Sequence, residues 1–255
     1  MAGFKTHVTT STVLGIGYAG GSMLLGAPID ASLVAGGLCG LAGMGPDLDS
    51  DSGIPMREAM AFSAAIVPML LVDRFQQFGL SHEQMVLATG SLYLLIRFLF
   101  AEMLKKYTVH RGMFHSIPAA LLFSMAAFLI CGSEHLELRY LKAGGVFLGV
   151  MSHLVLDELW SIEMHRGRMR FKKSFGTAMK FWGDSLWGNV SCYGKLIVAV
   201  SLILSEPMIV ERYGAHHPDA RQIAEEFSLD SATDNAKKAP KTIYETAHRI
   251  IEKFK

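Results

Sequence analysis

Residues 109–116, VHRGMFHS, set two histidines, an arginine and a serine between two long apolar runs. His110 and His115 can each offer a neutral ring nitrogen to a metal or move a proton near neutral pH. Arg111 can grip an anion with two parallel donors, and Ser116 can donate or accept. By itself the segment describes a wet loop between two helices equally well. The nature of the flanking runs therefore decides the fold, and the position of the other polar residues in the apolar parts of the chain decides the chemistry.

Of the 255 residues 51% are hydrophobic and 18% charged, and mean hydropathy is +0.30, too apolar for an ordinary soluble domain of this length. The apolar residues fall in runs of roughly twenty, which suits a bilayer core about 30 Å thick. The spans read at 8–27, 30–46, 58–72, 84–104, 113–132 and 141–160, with a less regular seventh at 194–210 interrupted by Glu206 and Pro207. The expected fold is all-α, a polytopic membrane bundle of six or seven spans over residues 1–212, followed by a polar tail over 213–255. The start reads as a retained first span rather than a cleaved signal. The first two runs are rich in Gly15, Gly17, Gly20, Gly21, Gly36, Gly37, Gly40 and Gly43, small residues that let helices approach closely in lipid, so a tight hairpin around Pro28 and Asp30 is expected. Pro68 should kink or tilt the third. A net charge of +1 says nothing about nucleic acid, no nucleic-acid partner is expected, and three widely spaced cysteines argue against a disulfide framework or a cysteine metal site.

Lysines and arginines set the orientation. With the N-terminus inside, the cytoplasmic loops hold twelve (Lys5, Arg57, Lys105, Lys106, Arg111, Arg166, Arg168, Arg170, Lys172, Lys173, Lys180, Lys195) and the opposite side three (Arg74, Arg139, Lys142). On that topology His7, the aspartates of GPDLDSDSG, the 110–116 cluster, and His153 with Asp157 all reach the cytoplasmic side. His153 and Asp157 are four apart and share a helix face, and antiparallel fifth and sixth helices bring His115 and His153 to similar depth. Each feature has a plainer reading. GPDLDSDSG is also a solvated turn, or a poor calcium loop from Asp47, Asp49 and Asp51 to Glu58 with its glycine displaced to Gly53. His153 and Asp157 could simply bond to each other and lock two helices. Ionisable residues within a span are costly, however, at about 2.5–3.5 kcal/mol for a central aspartate, which makes function the default. Converging on one face, these groups look like a metal site with mixed His and Asp ligands.

The motifs Thr6-His7 with Gly15, Pro46-Asp47-Leu48-Asp49, His110-Arg111-Gly112 with His115-Ser116, and Ser152-His153 with Asp157 resemble those of the YdjM-like family of inner-membrane proteins, grouped as metal-dependent hydrolases. The resemblance implies an inner-membrane, multi-pass protein. It makes His7, Asp47, Asp49, His110, His115, His153 and Asp157 the candidate ligands and catalytic groups; with the chemistry of the residues added, His7, Asp47, Asp49, His110, His153 and Asp157 are expected to hold the metal and Arg111, Ser116 and His115 to act in catalysis. The ion expected is divalent, zinc first, with manganese, magnesium or iron as alternatives.

Between the sixth and seventh runs, RGRMRFKKSFGTAMKFWGDSLWGN is basic and aromatic, as an interfacial loop against an anionic leaflet would be, or simply a topology signal. In the tail a capping box at Thr242 and Glu245 opens an amphipathic helix suited to the membrane or a protein partner. The expected activity is hydrolysis of a lipid or lipid-like ester or phosphoester at the cytoplasmic face. Two alternatives are a metal-free lipid phosphatase, which lacks here its arginine and its Pro-Ser-Gly-His segment, and a metal transporter or sensor.

Overall fold

The computed structural model describes residues 2–49, 53–100, 102–103, 113–165, 168–171 and 176–214. The chain divides into two units, Met1–Ala199 and Val200–Lys255. The first is built on three helices: α1 (Phe4–Leu24), α2 (Ile29–Ala42) and α7 (Leu136–Leu159), with α2 packed against both others.

The turn between α1 and α2 follows from Gly26. Its φ of 91° is open to glycine, and it lets Gly26 N–H bond the Met23 carbonyl at 3.0 Å while Ala27 N–H reaches the Ser22 carbonyl at 3.0 Å. This double bond closes the helix end, and Pro28 then begins α2. The inward face of α1 is His7, Ser11, Gly15, Ala19 and Ser22, while Val13 and Ile16 point outward, 64% and 70% exposed. Small and polar residues are inside and large apolar ones outside, the reverse of a water-soluble helix. A methyl on Gly15 would collide with the Gly36 carbonyl, and one on Gly145 or Gly149 with the carbonyl of Ala35 or Cys39. Ser11 Oγ also donates to the Gly40 carbonyl at 2.8 Å.

After α2 a 3-10 turn (Pro46–Asp49) leads to α3 (Gly53–Leu70), which contains Pro68, and to the short polar α4 (Val72–Gln77). The run read at 58–72 is thus one helix through Pro68 to Leu70, and the break at Leu71 falls at its end. α5 (His82–Leu94) opens on a capping box, Ser81 with Gln84, and continues as π-helix over Leu95–Phe100. α6 (Ile117–Ile130) is capped by Ser116 and packs on α7 around Ala120, Val150 and Leu154. Its C-terminal carbonyls are held by two arginines: Arg74 Nε donates to Leu129 O at 3.1 Å, and the fully buried Arg139 donates to Phe128 O through Nε and Nη2 at 3.2 and 3.1 Å. Arg139 is therefore part of α7 rather than a loop cation, because α7 begins at Leu136 and not at 141.

Two further expectations are corrected. The first part of the basic, aromatic stretch is not loop, since β1 (Ile162–His165) pairs antiparallel with β2 (Arg168–Phe171), Ile162 opposite Phe171. IEMH and RMRF alternate apolar and polar residues with the strand period. The seventh run forms α8 over Leu186–Leu204, beginning well before 194 and ending ahead of Glu206. Pro207 starts a separate helix, α9 (Pro207–Gly214), as a proline suits a first helical position. The capping box at Thr242 lies outside the described residues.

Among the described residues two helices are long and apolar enough to cross a membrane, His82–Phe100 and Leu186–Leu204, while Ile29–Ala42 and Ile117–Ile130 are apolar but shorter. α1 and α7, at 21 and 24 residues, have the length, but an inward stripe of Gly, Ser, His or Asp lowers their apolarity.

Candidate metal centre

Four elements deliver five titratable side chains to one buried place. His7 comes from the first turn of α1, Asp47 from the 3-10 turn, His115 from the residue before the N-cap of α6, and His153 and Asp157 from successive turns of α7. The three histidines and Asp157 are at most 5% exposed.

Backbone groups fix the orientation of two of them. His153 Nδ1 lies 2.7 Å from the Gly43 carbonyl, so that nitrogen carries the hydrogen and the Nε2 lone pair faces the cluster. Asp157 Oδ1 accepts from the Ala2 N–H at 3.1 Å and lies 3.2 Å from His7 Nε2, which leaves Oδ2 turned toward His153 and His115. The His7 and His153 rings stack at 3.6 Å and 11°. Ser116, expected among the catalytic groups, is the N-cap of α6. Its Oγ accepts from Ala119 N at 3.2 Å and donates to the Met113 carbonyl, so it sets where His115 points.

The remaining separations are too long for hydrogen bonds. His153 Nε2 is 3.6 Å from Asp47 Oδ1 and 3.8 Å from Asp157 Oδ2, and His115 Nε2 is 3.9 and 4.0 Å from the same two oxygens. Ligand atoms that share one tetrahedral ion at ~2.1 Å stand about 3.4 Å apart, so these separations are near what a shared ion would need. His7 Nδ1, His153 Nε2 and Asp157 Oδ2 are buried with no hydrogen-bond partner among the described residues, an arrangement that is costly without a further group. Two triads, His7-His153-Asp157 and Asp47-His115-His153, each have ligand atoms within 4.8 Å of one another. These buried His and Asp groups could hold a metal ion.

Of the residues singled out from the sequence, His7, Asp47, His115, His153 and Asp157 meet here, and His115 stands with the ligand set. Asp49 shares the 3-10 turn of Asp47. His110, Arg111 and the side chain of Asp49 lie outside the described residues. Of the calcium-loop alternative, Asp47 lies toward His153 and Glu58 pairs with Arg57 at 3.1 Å, while Asp51 lies outside the described residues. Sequence reading missed the Gly43 carbonyl and the Ala2 N–H, because a backbone group carries no side-chain signature.

Comparison with curated proteins and with solved structures gives no match. The model of the YdjM inner membrane protein family matches residues 1–171, a stretch that contains all five clustered side chains. That match covers well over half of the chain, which therefore belongs to the YdjM inner membrane protein family.

Proposed function

We propose that the protein is a multi-pass inner-membrane hydrolase, dependent on a divalent metal, that acts on a lipid or lipid-like ester or phosphoester at the cytoplasmic face. The observation that carries this reading is the buried His-Asp cluster with three polar atoms lacking hydrogen-bond partners among the described residues. His153, Asp157, His115, Asp47 and His7 would hold the ion, with His110 and Asp49 completing the set. Three histidines with carboxylates suit zinc first, then iron or manganese. Bound there, a divalent ion supplies Lewis acidity, polarising the scissile group and lowering the pKa of water toward ~7.

The chain's own residues do the rest. Gly43 and Ala2 hold His153 and Asp157 in register through their backbone groups, and Ser116 caps the helix beside His115. Arg111 pairs with an anionic oxygen of the substrate. An aspartate or histidine of the cluster not taken up by the ion takes the proton from the attacking water. The cluster gathers residues at helix ends, whereas a transporter would gather them near mid-membrane on broken helices, so an enzyme is favoured.

Metal analysis of the detergent-purified protein tests this reading. Stoichiometric metal should be present in the parent and lost in both His153→Ala and Asp47→Ala; metal that persists in both variants overturns the ligand set. A screen of lipid esters and phosphoesters with the loaded protein then tests the activity.

A further inference from the structure

Residues 176–189 form a strap tied at three places, two of them beside the metal-site residues. At its start the Gly176 N–H donates to Glu158 Oε1 at 2.5 Å, and Glu158 directly follows Asp157. In its middle Lys180 bridges Ser116, and its carbonyl accepts from Ile117 N at 3.1 Å, so this tie adjoins His115. Toward its end Gly183 and Asn189 exchange two bonds of 2.8 Å, which fix the strap to the first turn of α8, and Tyr193 donates to the Phe181 carbonyl at 2.7 Å. The strap thus runs from the end of one site-bearing helix to the start of the other and on into α8.

The side chains it turns outward are large and apolar. Phe181 and Trp182 are 63% and 62% exposed, and Leu186 and Trp187 are 71% and 79% exposed. Four such groups on a segment held by backbone bonds form no core. They lead without a break into Leu186–Leu204, a helix of membrane-spanning length and apolarity with only 17% of its apolar window buried. Tryptophans gathered where such a helix begins suit the interfacial zone, with the indole ring in lipid and its N–H near water.

We infer that the strap is the protein's contact with the phospholipid leaflet beside the metal site, and that it holds the mouth of the site at headgroup depth so that a lipid enters sideways from the leaflet. The inference rests on the membrane reading proposed above but not on hydrolysis or on a bound metal. A soluble protein partner would need the same four side chains clear of lipid, and their continuity with α8 argues against that.

The test uses the full chain in bilayer discs containing lipids brominated near the headgroup or deep in the chains. In the Trp160→Phe variant only Trp182 and Trp187 emit. Their fluorescence should fall about twofold with headgroup-proximal bromine relative to unbrominated lipid, and respond little to aqueous iodide. A second variant, with all three tryptophans changed to Phe and Tyr93→Trp added, reports on α5. If this α5 probe is quenched by chain bromine while the strap tryptophans are not, the strap inference is overturned and the membrane reading stands. If neither is quenched, both fall. Adding Trp182→Phe or Trp187→Phe to the Trp160→Phe chain reads each position separately, and iodide quenching of either tryptophan without bromine quenching overturns the strap contact at that position.

Discussion

At the level of single residues, the proposed function separates groups that would hold an ion from groups that would act. Arg111 is permanently charged and cannot bind a cation, so its place beside His110 suits it to pair with substrate anion or with charge that develops in the reaction. Arg111→Lys keeps the charge but loses the two-pronged fork. It should leave metal content unchanged and cut turnover by about 100-fold, by analogy with the loss of one donor to a developing oxyanion. His110→Ala should lower metal content and turnover together. Metal analysis alongside assay on the first substrate found distinguishes the two, and an Arg111→Lys protein that had lost its metal would make VHRGMFHS a structural loop. At this scale much is legible in the sequence: the histidines and aspartates stand out because ionisable side chains are expensive within apolar runs. Ser116 was harder to place, since a serine before a helix serves equally as cap or as chemical group, and only its two bonds, from Ala119 N and to the Met113 carbonyl, assign it to capping.

Glycine decides how the helices meet, and here sequence and structure part company. Eight glycines in the first two runs read alike as close-packing residues, yet Gly17, Gly20, Gly21 and Gly37 have nothing within 4 Å of an added Cβ. Gly15 and Gly36 instead face each other's backbone, and the closest approach of α2 to α7 is at Gly145 and Gly149, outside those runs altogether. Composition announces that helices will pack closely but does not say which face does so, because that depends on helix rotation. Gly149→Ala would press its methyl on the Cys39 carbonyl and on Ala42. Forcing α2 from α7 there should destabilise the bundle by about 1–3 kcal/mol, as overpacking does. Gly17→Ala should be neutral or stabilising by up to about 1 kcal/mol, since it only improves helix propensity. Thermal unfolding in detergent compares the pair, and equal midpoints would mean that the α2–α7 contact is looser than described. Gly149→Ala should also reduce metal content, because His153 lies one turn further along the same face of α7. Helix ends were read less well than helix existence: Ser81-x-x-Gln84 is a capping box visible in the sequence, and α8 begins at Leu186 because the Asn189 bonds to Gly183 anchor its first turn.

Across the molecule the bundle is built in the sense that a membrane requires. Its buried polar residues lie among small side chains, while Leu24, Leu25, Val13 and Ile16 point outward, the first two about nine-tenths exposed. Two of the three cations counted for the outer side, Arg74 and Arg139, hold carbonyls at the end of α6. They therefore serve a helix end rather than an outer loop, and the expectation of an N-terminus inside rests on the twelve cations counted for the other side. Ser50 lies outside the described residues, but on the proposed topology α1 and α2 form a hairpin of two spans, and residue 50, in sequence just past Asp49, should share the cytoplasmic side with the His-Asp cluster. The native cysteines Cys39, Cys131 and Cys192 are all buried, so a thiol introduced by Ser50→Cys can be read against a low background. A membrane-impermeant maleimide should label it in inverted vesicles and leave it unlabelled in intact cells. Labelling from outside intact cells would reverse the orientation, move the His7, Asp47, His115, His153 and Asp157 cluster to the outer face, and with it the lipid leaflet from which a substrate would come.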